Sequence, residues 1–287
     1  MLLSSTSTTI SRSLAYLARP NLVRSFPRSL SSTSTDPTSG LKLYGHYVSQ
    51  PARSILWLLK LKNEPFVFQK VEPLRGDTRK ESYKAKFPIG LTPSLEDYDS
   101  KPEPFRVSEG SAILTYLCDK YNWDDFCPSI KPQDSSETKL RAIQERAKIN
   151  EYLSHHHSST RRLSEVIFRP LIEEIFFKKE YADKEGGKLF ATKNSQRFTS
   201  LFLLHDRKKG LSDDVVSFIG GRAKPSIADL LAYCEFAQLG SGPGGLNFMK
   251  YTVEEHGLLF CKWLEAMEKL SMLATQQLRQ KQKTPLM

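Results

Sequence analysis

The stretch from Leu41 to Val71 constrains the fold most, because its apolar period changes twice within about thirty residues. Leu41 and Leu43 alternate with Lys42 and Tyr44, the pattern of a half-buried strand. Pro51 suits a first helical turn, where its missing N–H costs nothing. Ile55, Leu58, Leu59 and Lys62 then recur at helical spacing until Asn63 and Pro65 stop them. Phe66–Val71 reads as a second strand. Strand, helix and strand in so short a span leave a parallel pair joined by a right-handed crossover.

The pattern stays mixed as far as Tyr121. A loop and a short polar helix over Leu74–Lys86 precede Leu91–Leu95, a short strand near Phe105–Val107, and a helix over Ser111–Tyr121 with Ile113, Leu114 and Leu117 inward. From Trp123 to Ser136 the composition shifts to Pro, Asp and Ser, as in a linker. Beyond it the chain reads as helical: Glu137–Arg162, Leu163–Lys179, Ser195–Lys208, Ser226–Leu239 and Val253–Lys281. This divides the chain into an α/β domain over 40–122, a linker over 123–136 and an all-α domain over 137–287. Ser226 and Asp229 form a capping box at one helix start.

Residues 1–39 differ from the rest. They hold Arg12, Arg19, Arg24 and Arg28 among many Ser and Thr, and Asp36 is the first negative charge. An Arg- and Ser-rich, acid-poor, amphipathic leader fits a disordered transit peptide, and it lacks the unbroken apolar region of a secretory signal. Its regular arginines favour the mitochondrion over a plastid; a merely disordered tail would leave the protein in the cytoplasm. The net charge of +10 is moderate, and Lys and Arg lie scattered among acids with no stripe interleaved with aromatics. A nucleic-acid partner is not expected, nor a membrane span, since no apolar run reaches the required ~20 residues. Cys118, Cys127, Cys234 and Cys261 show no metal-ligand spacing and imply no disulfide framework. His155, His156 and His157 are consecutive, so on a helix they point about 100° apart and cannot share one metal ion.

Three short motifs carry chemistry. In Leu91-Thr92-Pro93-Ser94-Leu95 the proline cannot donate to a ladder and belongs at a strand edge or start. A cis Thr92–Pro93 bond there would turn the Thr92 N–H and C=O outward, able to pair with an extended peptide ligand. Ser108-Glu109-Gly110-Ser111 opens a helix with small groups beside free amides, which suits a plain cap or a bound carboxylate. Val48-Ser49-Gln50-Pro51 sets a hydroxyl just ahead of a helix, by itself an N-cap.

In this order and spacing, after a β–α–β start and before an all-α domain, the motifs resemble those of glutathione transferases, over residues 40–287. Ser49, rather than a tyrosine or cysteine, stands before Gln50-Pro51, and Arg161 closes the segment Glu151–Arg161, so the chain looks most like the theta class. The resemblance implies an α/β + all-α fold: a thioredoxin-like, glutathione-binding N-terminal domain followed by an all-helical, substrate-binding C-terminal domain. It implies that Ser49 and Arg161 act at the glutathione sulfur, and that the backbone of Thr92, ahead of Pro93, holds the cysteinyl unit. Glu109, Gly110 and Ser111 would hold the γ-glutamyl end, and Arg79 the glycyl carboxylate. Glutathione would be the co-substrate and a small electrophile the second substrate, with no metal, in a homodimer. Conjugation, hydroperoxide reduction or dehalogenation would follow; the alternative is a non-catalytic protein of the same fold carrying apolar ligands. A thiol–disulfide enzyme would need cysteine in place of Ser49.

The energetics are adequate for serine. A free thiol titrates near about 8.5, and lowering that by about two units asks for roughly 2.7 kcal/mol. A hydrogen bond to a charged acceptor supplies about 1.5–3 kcal/mol. Three positions depart from the family pattern: Gly110 replaces the usual serine, whose work falls to the backbone alone or to Ser111, Leu91 replaces a common lysine, and Phe87 a common asparagine. The lost carboxylate contacts predict weaker glutathione affinity, not loss of the reaction.

Overall fold

A computed structural model describes residues 40–99, 103–204, 207, 212, 215–241 and 245–281, so the leader at 1–39 lies outside the described residues. Within them the chain forms two compact units. One comprises the stretch up to Asn150, Lys224–Leu231 and the residues from Glu265 on; the other comprises Glu151–Ala223 and Ala232–Leu264.

The first unit contains β1 (Leu41–Gly45), α1 (Gln50–Leu61), β2 (Phe66–Lys70), α2 (Glu81–Lys84), β3 (Ser94–Asp97), β4 (Phe105–Ser108) and α3 (Gly110–Tyr121). The strands form one sheet in the order β2-β1-β3-β4. β1 runs parallel to β2, with Leu41 opposite Phe66, and antiparallel to β3, with Leu43 opposite Leu95. β4 completes the sheet antiparallel to β3. The apolar stripes read from the sequence drive this packing: Leu43, Leu95, Ile55, Leu58, Leu59, Ile113, Leu114 and Leu117 are fully buried. Each such side chain contributes about 1.5–3 kcal/mol. α1 stops where Asn63 turns to φ 52°, and Lys62 leaves the apolar stripe to pair with Asp125 at 2.5 Å.

Tyr44 corrects the expectation of a half-solvated β1. It is buried on the other face of the sheet with Val71, Tyr83 and Phe87, and its hydroxyl donates to Glu96 Oε2 at 2.6 Å. β3 carries two adjacent, fully buried acids. Glu96 also accepts from Tyr98 at 2.8 Å and Arg106 Nε at 3.0 Å, and pairs with Lys86 at 3.1 Å. Burial pushes its carboxyl up, but these donors outweigh it and hold the pKa down at about 2. Asp97 accepts from Tyr116 at 2.5 Å and pairs with Lys120 of α3.

The loop and short polar helix expected over Leu74–Lys86 take the form of two 3₁₀ turns, Pro73–Arg75 and Asp77–Arg79, which meet at Gly76 with its φ of 82°, followed by the four α-helical residues of α2.

Several helical boundaries also move. α4 (Ser136–His156) ends before Arg162, because the Ser158 and Ser159 hydroxyls donate to the His155 carbonyl at 3.1 and 2.7 Å and compete with the helix ladder. A wide π-turn at Ser164–Phe168 precedes α5 (Arg169–Phe177). The helix expected from Ser195 instead begins eleven residues earlier as α6 (Lys184–Phe198), capped by Asp183, which accepts from Gly186 N at 2.9 Å. Gly186 and Gly187 look like breakers in the sequence but occupy the first turn, where the cap offsets their cost. α7 (Ile227–Leu239) starts as the capping box requires, with Ser226 N and Oγ each 2.8 Å from Asp229 Oδ2. The helix expected over Val253–Lys281 is divided by Gly257, at φ 85°, into α8 (Val253–His256) and α9 (Leu258–Lys281). In the second unit, Phe198, Phe236, Phe260 and Trp263 pack into one aromatic cluster, with Phe198 and Trp263 ring centroids 4.9 Å apart.

No described helix is long and apolar enough to cross a membrane. Cys118, Cys127, Cys234 and Cys261 form no disulfide among the described residues.

Candidate active site

Ser49 is the N-cap of α1. Extended backbone at φ −74°, ψ 120° brings its Oγ to accept the Ala52 N–H at 3.4 Å. Its own N–H donates to the His46 carbonyl at 2.9 Å. The hydroxyl is half-buried and spends its lone pair on the helix, and its proton has no acceptor among the described residues. The cap therefore leaves a donor at a helix start, where the dipole favours negative charge.

Thr92 and Pro93 are joined by a cis peptide bond. The turn is fastened from behind, since the Leu91 carbonyl accepts from Tyr83 Oη at 2.7 Å and Ser94 Oγ at 3.1 Å. The pairing of β1 with β3 ends at Tyr44–Ser94, so Thr92 lies beyond the ladder. The Leu91 side chain is more than half exposed and offers no charge there.

Ser94 Oγ and Ser108 Oγ lie 2.8 Å apart, which brings the Pro93 turn beside the start of α3. Glu109, the N-cap of α3, sits at φ 78°, ψ 128°, and its side chain makes no capping hydrogen bond. A non-glycine residue there stores about 1–3 kcal/mol of strain, a cost that clusters at ligand-binding positions. The Glu109 side chain thus leaves the amides of Gly110 and Ser111 at the start of α3 uncapped. Gly110 is buried, and a Cβ on it would come within 2.8 Å of Pro51 Cβ. This contact explains the missing serine, because the second residue of α1 occupies the space its side chain needs. Ser49, Thr92, Pro93, Glu109, Gly110 and Ser111 thus all belong to the sheet-bearing unit.

Arg79 belongs to the same unit; it is exposed, and its guanidinium folds over Gly76. Arg161 belongs to the second unit. It follows α4, and its Nη1 donates to Glu235 Oε1 at 2.8 Å and to Ser164 Oγ at 3.3 Å. Glu235 is fully buried and also accepts from Ser164 Oγ at 2.6 Å, with His156 Nε2 3.7 Å away. Burial pushes the Glu235 carboxyl up, but His156, Arg161 and Ser164 prevail and hold it below the usual range. This partner stands 74 positions from Arg161, and no local pattern in the chain signals it. The three histidines diverge: His155 packs on Phe202, His156 bonds Tyr152 and faces Glu235, and His157 is exposed.

Residues 48–120 match the family model "Glutathione S-transferase, N-terminal domain". Human glutathione S-transferase theta-1 is 30% identical over 196 residues, covering 68% of this chain and 72% of that protein. Among solved structures, the human theta-2 enzyme in complex with glutathione and an unknown ligand superposes with a TM-score of 0.59 at 24% identity, covering 86% of this chain and 93% of that one. The apo human T1-1 enzyme gives a TM-score of 0.59 at 22% identity, over 81% and 84% of the two chains. The polypeptide joins a thioredoxin-like domain to an all-helical one, and by this kinship it belongs to the theta-like branch of the glutathione transferase family.

Proposed function

We propose that the chain binds glutathione with its sulfur at Ser49 and directs the thiolate at small electrophiles. The observation that carries this reading is the Ser49 hydroxyl, which uses its oxygen to cap α1 and keeps its proton for an acceptor. A sulfur placed there receives one charge-assisted hydrogen bond and the positive end of α1. Both favour the thiolate without any base removing a proton. Serine is a donor in this scheme and forms no covalent intermediate. The thiolate attacks carbon and the electrophile's leaving group departs; with a hydroperoxide it attacks the terminal oxygen, the O–O bond breaks and the alcohol leaves, and a second glutathione thiol displaces water from the resulting sulfenic acid to form the disulfide.

Thr92, beyond the ladder at Pro93, supports a role in pairing with the cysteinyl backbone. The uncapped start of α3 at Glu109, Gly110 and Ser111 suits the γ-glutamyl carboxylate. Arg79 is assigned to the glycyl carboxylate. Arg161, oriented by Glu235, is assigned to the sulfur by family likeness, within a substrate-binding domain over 137–287. A homodimer is proposed on the same ground, and import into mitochondria from the basic, acid-poor residues 1–39.

Retention on glutathione-agarose combined with turnover on an electrophile panel tests the reading. Wild type is retained and turns over, and Ser49→Ala is retained but slow. Retention with no turnover by wild type on any electrophile would favour a ligand carrier.

A further inference from the structure

His46 directly follows β1 and places three polar atoms on the loops around the proposed site. Its carbonyl accepts the Ser49 N–H at 2.9 Å. Its Nδ1 accepts the Val48 N–H at 3.2 Å, so the ring proton belongs on Nε2, which lies 3.2 Å from Glu72 Oε2. Glu72 is held from the other side by Lys70. It also anchors the two turns that end in Arg79: its carbonyl accepts from Arg75 N at 3.0 Å and Asp77 N at 3.2 Å, and its N–H donates to Asp77 Oδ2 at 2.9 Å. One neutral imidazole therefore ties the loop that presents Ser49 to the turns that present Arg79. Burial, the leading influence, lowers the His46 pKa; Lys70 adds to this and Glu72 opposes it, so the tautomer that makes both bonds is the one held at neutral pH.

We propose that His46 is a positioning residue with two separable tasks: Nδ1 fixes the Ser49 hydroxyl for the glutathione sulfur, and Nε2–H, through Glu72, sets the Arg79 turns for the far end of the tripeptide. The first task rests on the Ser49 reading above. The geometry makes the two tasks separable by substitution. The bond from Val48 N–H to its neighbour two residues back is the Asx-turn geometry, which an asparagine oxygen reproduces. Asparagine is too short to reach Glu72 as well.

Steady-state kinetics in glutathione should therefore split. His46→Ala lowers kcat and raises the glutathione KM, each by about three- to tenfold, the effect of one lost hydrogen bond. His46→Asn restores kcat and leaves KM raised. Glu72→Ala raises KM and spares kcat. In a Ser49→Ala background, His46→Ala lowers kcat no further, because the hydroxyl it positions is gone. Circular dichroism and Tm confirm that each variant is folded. If a folded His46→Asn stays as slow as His46→Ala, or if the His46→Ala loss in kcat adds in full to that of Ser49→Ala, His46 has only a structural role and the proposal is overturned. If Ser49→Ala alone leaves turnover at the wild-type level, the Ser49 reading fails and the kcat task of His46 fails with it. The KM task is still decided by Glu72→Ala, and an unchanged KM there overturns it.

Discussion

Helices α1 and α3 start within contact of each other, Pro51 against Gly110, yet they start in opposite ways. At α1 the Ser49 side chain closes the helix and keeps one proton free. At α3 the cap residue Glu109 is held at φ 78° and closes nothing with its side chain. One start is relaxed and offers a hydroxyl; the other is strained and offers backbone amides. The pair matches a ligand with a thiolate at its centre and a carboxylate at one end. On the proposed function the difference also separates stability from function, since the cap at α1 would serve both and the strain at α3 only the ligand.

Substitutions can break each half of this comparison. The largest effect is expected from Ser49→Asp. Aspartate caps a helix as well as serine does, so Tm should hold, but a second negative charge at the sulfur should cost turnover more than the roughly 10- to 100-fold expected for Ser49→Ala. Ser49→Ala should also lower stability by about 1 kcal/mol for the lost cap, read by denaturant unfolding. Gly110→Ser comes next: its Cβ meets Pro51, and forcing it in should destabilise by about 1–3 kcal/mol. Glu109→Gly should act in the opposite sense. Relief of the positive φ should raise stability by about 1 kcal/mol, while isothermal calorimetry shows weaker glutathione binding.

The smallest effect at neutral pH concerns the sheet beneath both helices. The folded pKa of Glu96, about 2, lies below its ordinary 4.5, so its ionised network stabilises the fold above pH 4.5, and that contribution is lost as pH falls toward 2. Thermal unfolding should show this acid limb in wild type and not in Glu96→Gln.

Local features of this fold were readable in the sequence because local rules dictate them. The β1–α1–β2 unit follows from the period of Leu41, Leu43, Ile55, Leu58 and Leu59, and the start of α7 follows from Ser226 and Asp229. What escaped depends on partners far apart in the chain. Tyr44 alternates with the buried leucines and nothing nearby in the chain announces its partner Glu96, while Glu96 and Asp97 are buried only because Lys86, Arg106, Tyr116 and Lys120 reach them from other elements. α6 begins at the Asp183 cap, ahead of a glycine pair whose helix propensity is poor. Within the site, Ser49 was legible as a cap from its place before Pro51. The strain at Glu109, the Pro51–Gly110 contact and the Glu235 partner of Arg161 appear only in three dimensions.

The central claim is that the Ser49 hydroxyl stabilises the glutathione thiolate, and a pH titration of the ultraviolet thiolate absorbance of bound glutathione tests it most directly. Wild type should titrate about two units below the free thiol value near 8.5, and Ser49→Ala should return most of the way to it. Equal midpoints for the two proteins, with glutathione bound to both, would contradict the account.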